Sequence, residues 1–350
     1  MSAAGAQVSA VQRFHSANTV ERDGVTYEFT KDSQPPWLST KAAPAEFVAA
    51  VARRSPDVVH LNGLIFPQLV AAIRQAVGNR TAIVVQHHGG EFPVSGSGPI
   101  GLWRRMRWRG GLSAADAISF TAREQAEPWR AATVVGKQRI LEIVESGTML
   151  RHVDRDRARS AIGVNASPLI LWVGRLTTNK DPLTVLDGLE QALPALPDAH
   201  VVMLFGDDTL IVPVENRVRS STVLRDRVTL AGRITHEELP NYYGAADVFV
   251  SGSHSEGSGY ALIEAMSAGV VPVVTEIPSF RVIAGDCGAR WPPGDAQAFA
   301  DALRTVCGGN LHEQRARVAA QYDRVLRWDA IARRTVDEYQ ALVDSKHSTA

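Results

Sequence analysis

Cysteine is nearly absent from this chain. Cys287 and Cys307 are the only two, and their separation fits neither a disulfide framework nor the paired short spacings of a zinc site. They read as ordinary small residues of a reducing compartment, and no metal is expected. The chain also lacks an apolar run near the ~18 residues that a membrane-crossing helix needs. No hydrophobic stretch follows Met1-Ser2-Ala3-Ala4-Gly5-Ala6 to make a secretion signal. The expected setting is the cytoplasm, at most peripheral to the inner face of a membrane. An excess of either charge is missing too, since 37 Lys and Arg balance 37 Asp and Glu. That excludes a general nucleic-acid binder, which needs a basic surface to displace counterions, but leaves room for a local basic pocket around one phosphorylated ligand. There is no internal repeat and no low-complexity tract.

What the chain does have is length and alternation. Its 350 residues, 45% of them apolar, suffice for two α/β domains of roughly 100–200 residues each. Short β-branched runs alternate with longer helical patterns, the mark of a mostly parallel sheet covered by helices. In the first half the strand candidates are Val8–Arg13, Val25–Phe29, Asp57–Leu61, Ala82–Gln86, Ala114–Phe120 and Ile140–Glu145, with helical periodicity over Pro67–Val77. A charged, weakly patterned stretch from Ser146 to Ser167 suits a domain crossover. A second series follows, with strands at Leu169–Val173, His200–Phe205, Val228–Leu230, Asp247–Ser251 and Val271–Thr275, and helices from Asp181 and over Tyr260–Ala268. The expected domains are 1–150 and 151–324, with a C-terminal helix over about 325–345, broken from its predecessor near Trp328-Asp329, packing back on the first.

Glycine and proline crowd the stretch Gly89 to Gly101, which is expected to be a long irregular loop. Behind it stands Trp103-Arg104-Arg105-Met106-Arg107-Trp108-Arg109. This cluster suits either an amphipathic surface helix with snorkelling arginines or a patch that touches a phosphorylated or lipid-linked acceptor.

The residues that carry chemistry fall in the second half. Gly174-Arg175 directly follows a strand, with Lys180 five residues on. Carboxyl ends of parallel strands border the crevice where open α/β sheets bind ligands. There Arg supplies a planar fork and Lys a point charge for a diphosphate. Next comes Glu256-Gly257-Ser258-Gly259-Tyr260-Ala261-Leu262-Ile263-Glu264. Its glycines allow a tight strand-to-helix turn, so the helix starting near Gly259 and Tyr260 directs free N–H groups into the same crevice. Glu264, about one turn in, could accept hydrogen bonds from ribose hydroxyls, and Glu256 from a sugar. Ala268-Gly269 stops that helix before the buried strand from Val271. Leu230-Ala231-Gly232-Arg233 is a further strand end, where Arg233 either borders a base or belongs to an ordinary turn.

In this order, Trp172-Val173-Gly174-Arg175 with Lys180, and Glu256 with Glu264, resemble the donor-binding domain of the GT-B glycosyltransferases, specifically the retaining enzymes of family 4. The resemblance spans about Leu169 to Asp301. It implies two Rossmann-like domains facing a cleft and a nucleoside-diphosphate sugar as co-substrate, UDP- or GDP-linked, with no other cofactor. The implied activity is hexosyl transfer to an acceptor hydroxyl with retention, the acceptor being a sugar, a lipid-linked glycan or a small metabolite. By resemblance Gly174, Arg175, Lys180, Gly259 and Tyr260 hold the diphosphate, Glu264 the ribose and Glu256 the donor sugar. Two departures are Gly206-Asp207-Asp208 where the family has Gly-x-Gly, and Glu145-Ser146-Gly147 where it has Pro-Asn-Gly.

In the first half, Gln86-His87-His88-Gly89-Gly90 resembles the family's strand-end histidine beside the reacting carbon. That makes His88 the first catalytic candidate and His87 the second, with Asn62 a weaker acceptor-side one. The chain reads as beginning one βα unit late, with an incomplete N-terminal domain. Two alternatives follow. One is an epimerase of the same fold, for which Glu91 and Asp116 would be the acid/base carboxylates. The other is a catalytically impaired nucleotide-sugar-binding paralogue or partner subunit.

Overall fold

The computed structural model describes residues 1–31, 44–64, 67–89, 98–206 and 209–348. The chain divides into two compact units, Met1–Glu145 with Trp328–Ala350, and Ser146–Arg327.

In the first unit the apolar runs build β4 (Val58–Asn62), β5 (Ala82–Gln86), β6 (Ala117–Phe120) and β7 (Arg139–Glu142), a parallel sheet in that order. Every residue of β5 is buried, as a central parallel strand covered on both faces requires. Val59, Leu61, Ile83, Val85, Ile118 and Phe120 share a core with Leu112 and Trp129.

Before this sheet lies a separate three-stranded one formed by β1 (Val8–Phe14), β2 (Asn18–Arg22) and β3 (Val25–Lys31), with β3 in the middle, parallel to β1 and antiparallel to β2. The fully exposed β2 went unrecognised for want of apolar alternation. Its marker is the turn Asp23-Gly24, with φ of 52° and 72°, the two-residue hairpin that positive φ at both central positions favours.

Two expectations need correction. The stretch expected as loop up to Gly101 is helical from Gly98: Gly98–Leu112 forms α3, after α1 (Ala45–Ala52) and α2 (Pro67–Val77). Pro99 stands in its first turn, where a missing N–H costs nothing, and long unbranched side chains carry the helix on. Residues 90–97, with Glu91, lie outside the described residues. The strand expected from Ala114 begins only at Ala117, because Ala115 and the residues before it close the end of α3, where the Ala115 N–H bonds the Leu112 carbonyl at 2.9 Å.

The second unit contains β8 (Leu169–Gly174), β9 (His200–Phe205), β10 (Val228–Gly232), β11 (Val248–Ser251), β12 (Val271–Thr275) and β13 (Ala289–Trp291). They form one parallel sheet in the order β10-β9-β8-β11-β12-β13. This is the doubly wound arrangement, whose strand order reverses between β8 and β11. The intervening helices are α4 (Glu127–Ala131), which still belongs to the first unit, and then α5 (Arg155–Ile162), α6 (Pro182–Ala192), α7 (Ile211–Ser220), α8 (Leu239–Ala245), α9 (Tyr260–Ser267), α10 (Pro278–Ala284), α11 (Ala296–Gly308) and α12 (Leu311–Gln321). Extended backbone at Arg327 ends the run. The last helix, α13 (Trp328–His347), belongs to the first unit, where Glu338 pairs with Arg139 and Lys346 with Asp116.

The amino ends of β8 and β11 are pinned by Asp247. Its carboxylate is 3% exposed, accepts the Leu169 N–H at 2.8 Å, and pairs with Arg155 and, at 2.7 Å, Arg159. Asp247→Ala strands those guanidiniums beside a vacated carboxylate site. Removing one partner of a buried pair costs about 3–5 kcal/mol. Because Arg155 is 41% exposed, the low end applies, a drop of roughly 10 °C in the melting of this unit. Scanning calorimetry checks it; a shift under about 2 °C would show the pairs to be solvated.

Candidate active site

The point of strand reversal places two loops side by side. β8 ends at Gly174, and the exposed Arg175 leads toward the turn Thr178–Lys180. After β11 comes Gly252 to Glu256. Asn179 joins the two, its carbonyl accepting the His254 N–H at 2.8 Å and its side-chain amide donating to the Ser255 carbonyl at 3.0 Å. His254 Nε2 reaches Asp181 Oδ2 at 2.9 Å, and Asp181 in turn caps α6. The approach is so close that a Cβ at Gly252 would lie 3.0 Å from the Asp181 carbonyl oxygen and 2.9 Å from Val185.

Within this frame Lys180 Nζ meets Glu256 Oε1, the same oxygen that accepts from Ser253 Oγ at 2.7 Å. Ser253 is fully buried and held by Ser251. The ammonium is 18% and the carboxylate 15% exposed, so the pair is shielded but open to a ligand. The structure thus brings together Lys180 and Glu256, which lie 76 positions apart in the chain.

Gly259 turns the chain into α9 with φ of 64°, and a Cβ there would meet Ile283 at 2.7 Å. Gly259, the N-cap of α9, has no side chain to offer the first-turn N–H groups, and Tyr260 beside it is exposed; a helix amino end of this kind suits an anion. Glu264, farther along α9, accepts from the hydroxyl of Tyr243 on α8 at 2.9 Å. Burial pushes the Glu264 carboxyl up; the Tyr243 hydrogen bond and the charge of His236 pull the other way. Arg233, exposed after β10, donates to the Gly206 carbonyl at 2.7 Å and joins the ends of β9 and β10. Asp207 and Asp208, part of the departure noted above, lie outside the described residues.

The first unit gathers a second polar group at the carboxyl ends of its strands. His88 Nε2 meets Asn62 Oδ1, and His88 Nδ1 lies 3.1 Å from Glu145 Oε2. His87 goes elsewhere: it is buried, its ring 5.1 Å from Phe120 and 5.3 Å from Trp129. That aromatic setting favours a structural role for His87. Beneath the group, burial lowers His60 to a pKa of about 4, and its Nδ1 contacts the Tyr339 hydroxyl. Asp116 stands just before β6, at the strand's amino end. It accepts the Ile83 N–H at 2.7 Å and pairs with Arg74 and Lys346. It is committed to structure and is no acid/base candidate.

Sequence reasoning missed Asn179, Ser253, Tyr243 and Glu145. Only Glu145 had a local signal, as the carboxylate standing where the family motif has proline.

Residues 167–308 match the family model described as glycosyl transferases group 1. A GDP-mannose:cellobiosyl-diphosphopolyprenol alpha-mannosyltransferase of Xanthomonas campestris is 28% identical over 297 residues, covering 82% of this chain and 75% of that protein. A D-inositol 3-phosphate glycosyltransferase of Xylanimonas cellulosilytica is 30% identical over 247 residues, 65% of this chain and 57% of its own length. Among solved structures, sucrose-phosphate synthase from Thermosynechococcus elongatus superposes with a TM-score of 0.71 at 22% identity, covering 98% of this chain and 91% of that one. Anabaena HepE in complex with UDP gives 0.68 at 17% identity, covering 90% and 86%. By sequence in its second unit and by fold along nearly its whole length, the chain resembles the GT-B glycosyltransferases of group 1, family 4.

Proposed function

We propose that the chain transfers a hexosyl group from a UDP- or GDP-linked sugar to an acceptor hydroxyl, with retention at the anomeric carbon. The observation that carries this reading is the Lys180–Glu256 pair at the strand reversal, next to the glycine-led amino end of α9. A diphosphate entering there would take over Lys180 and meet Arg175, Gly174 and the α9 N–H groups at Gly259 and Tyr260. Glu264 would accept from the ribose, Arg233 would border the base, and Glu256 would turn to the sugar hydroxyls. As the anomeric C–O bond breaks, the electron pair goes to the diphosphate, where fixed donors are each worth about 10²–10³ in rate. The acceptor oxygen then bonds to the anomeric carbon on the face just vacated, and its proton passes to the leaving phosphate. His88 would stand by the donor sugar and Asn62 on the acceptor side. This chemistry requires neither a metal nor a further cofactor.

The reading is tested with the full chain and a panel of nucleotide sugars, by recording thermal stabilisation, donor hydrolysis and the anomeric configuration of the transferred sugar. Stabilisation and turnover with one donor are expected. Stabilisation without turnover would point to a sugar-nucleotide-binding paralogue or partner subunit, and no stabilisation by any donor would sink the reading.

On the acceptor, α3 favours a lipid-linked glycan met at the inner membrane face. It carries Arg104, Arg105, Arg107 and Arg109 with no acidic residue, and it exposes Ile100, Leu102, Trp103 and Met106 at 54–68%. Basic and aromatic side chains on one helix suit the interface of an anionic bilayer. No helix among the described residues is long and apolar enough to cross a membrane. Sedimentation with phosphatidylglycerol vesicles should retain the protein at low salt and release it at high salt. Each arginine removed should weaken binding about fivefold, from ~1 kcal/mol per charge. Salt-independent binding, or none, would contradict this.

A further inference from the structure

His88 is gripped at both ring nitrogens by groups of its own unit, Nε2 by Asn62 Oδ1 and Nδ1 by Glu145 Oε2. An imidazole held in this way cannot turn, and its partners decide which nitrogen carries the hydrogen. A carbonyl oxygen only accepts, so Nε2 bears an N–H toward Asn62. In a neutral ring Nδ1 is then a lone pair, and Glu145 can satisfy it only as the carboxylic acid, with its O–H donating.

The burial of Glu145 agrees. Its side chain is 3% exposed against 39% for His88. Burial pushes the Glu145 carboxyl up to about 7, and burial lowers His88. Both shifts favour an uncharged pair with one proton between Oε2 and Nδ1. Among the described residues, the groups around His88 are Glu145 from the segment after β7, Asn62 and His60 on β4, and Gln86 on β5, which hydrogen-bonds His60. His60, at about 4, is neutral throughout the range that matters. That leaves Glu145 as the group here that changes charge near neutrality.

We propose that Glu145 is a positioning residue for His88, holding the ring with its proton on Nε2 and so fixing the tautomer that His88 brings to a transfer reaction. The last clause rests on the transferase reading, whereas the pairing itself does not. As pH rises through about 7, Glu145 loses its proton and becomes acceptor-only. The ring hydrogen then moves to Nδ1, Nε2 becomes an acceptor, and Asn62 must turn its amide.

The test is histidine ring ¹⁵N NMR on the full chain, with the His88 signals identified by their loss in His88→Asn. The wild type should show the Nε2–H tautomer below neutral pH and a change to Nδ1–H with a midpoint near 7. Glu145→Gln keeps a donor on Nδ1 at every pH, so it should hold the Nε2–H form with no transition. Glu145→Ala should release the ring to a mixture of both tautomers, with its titration still lowered by burial. Identical His88 titrations in wild type and Glu145→Gln, or an Nδ1–H ring in the wild type below neutral pH, would overturn the proposal.

A second arm measures hydrolysis of GDP-mannose and UDP-glucose. Glu145→Ala should lower kcat by about tenfold, the low end for a group that orients a reacting one, with KM little changed. Glu145→Gln should restore the rate while flattening the pH profile around neutrality. If no sugar nucleotide of the panel binds, the transferase reading fails, while the NMR result still decides the pair.

Discussion

Lys180→Ala is expected to lower turnover of the nucleotide sugar by about 10²–10³-fold, with a much smaller change in KM. Lys180 closes the turn after β8, at the strand reversal where open α/β sheets bind ligands. In the free protein its charge is neutralised by Glu256, and both side chains are largely shielded from water. A diphosphate that displaces Glu256 gains a cation already desolvated and fixed. The gain is largest when the anomeric bond breaks and charge accumulates on the leaving oxygens, so the loss belongs mainly in kcat. Truncation also leaves Glu256 part-buried without its cation, which repels the donor. The double variant Lys180→Ala/Glu256→Ala should therefore lose less than the two single effects combined, as coupled neighbours do. Steady-state kinetics on both singles and the double decide this, and a Lys180→Ala enzyme within about threefold of wild type would remove Lys180 from the mechanism.

Glu264→Gln is expected to weaken nucleotide binding by about 10–150-fold, the equivalent of the ~1.5–3 kcal/mol carried by hydrogen bonds to a charged group. One carboxylate oxygen is already taken by the Tyr243 hydroxyl at 2.9 Å. The buried tyrosine thereby aims the other oxygen, and its own hydroxyl is pushed well above the ordinary range, so it only donates here. A ribose hydroxyl donates more strongly to the ionised form of Glu264 than to the neutral acid. Because burial raises this carboxyl, affinity should fall as pH drops through the raised value, and that acid limb should vanish in Glu264→Gln. Stability moves the other way. The folded state holds this proton more tightly than the unfolded chain does, so ionising Glu264 with rising pH draws on the stability of the free protein. Calorimetric titration with UDP and GDP across the acid range separates the effects; an acid limb that survives in Glu264→Gln would assign it to another group.

What could be read in the sequence was what local pattern determines. Buried strands such as β5, β8 and β12 are continuous apolar runs, and α9 announces itself by the glycines before it and Ala268-Gly269 behind it. Strand order is not a local property, so the contact between the β8 and β11 loops emerged only with the fold, although Lys180 and Glu256 had each been singled out. Asn179 and Tyr243 are ordinary polar residues until tertiary structure sets them against Ser255 and Glu264. The exposed hairpin strand β2 has no buried face and so no alternation to detect, and its only local mark is the Asp23-Gly24 turn. The helical start of α3 was hidden by Gly98, Pro99 and Gly101, which read as loop wherever no helix is known to contain them. His87 and His88 are adjacent and chemically identical, and only packing separates them. One is inserted between Phe120 and Trp129, the other bridges Asn62 and Glu145.

The central claim, that a nucleoside diphosphate is bound at the carboxyl ends of β8 and β11, is tested most directly by titrating UDP and GDP into the ¹⁵N-labelled full chain and mapping the amide shifts. Saturable shifts are expected, confined mainly to Gly174–Lys180, Gly252–Glu264 and the residues around Arg233, and lost in Lys180→Ala/Glu264→Gln. Shifts scattered over the amino ends of the strands around Asp247, or a double variant that binds as the wild type does, would contradict it.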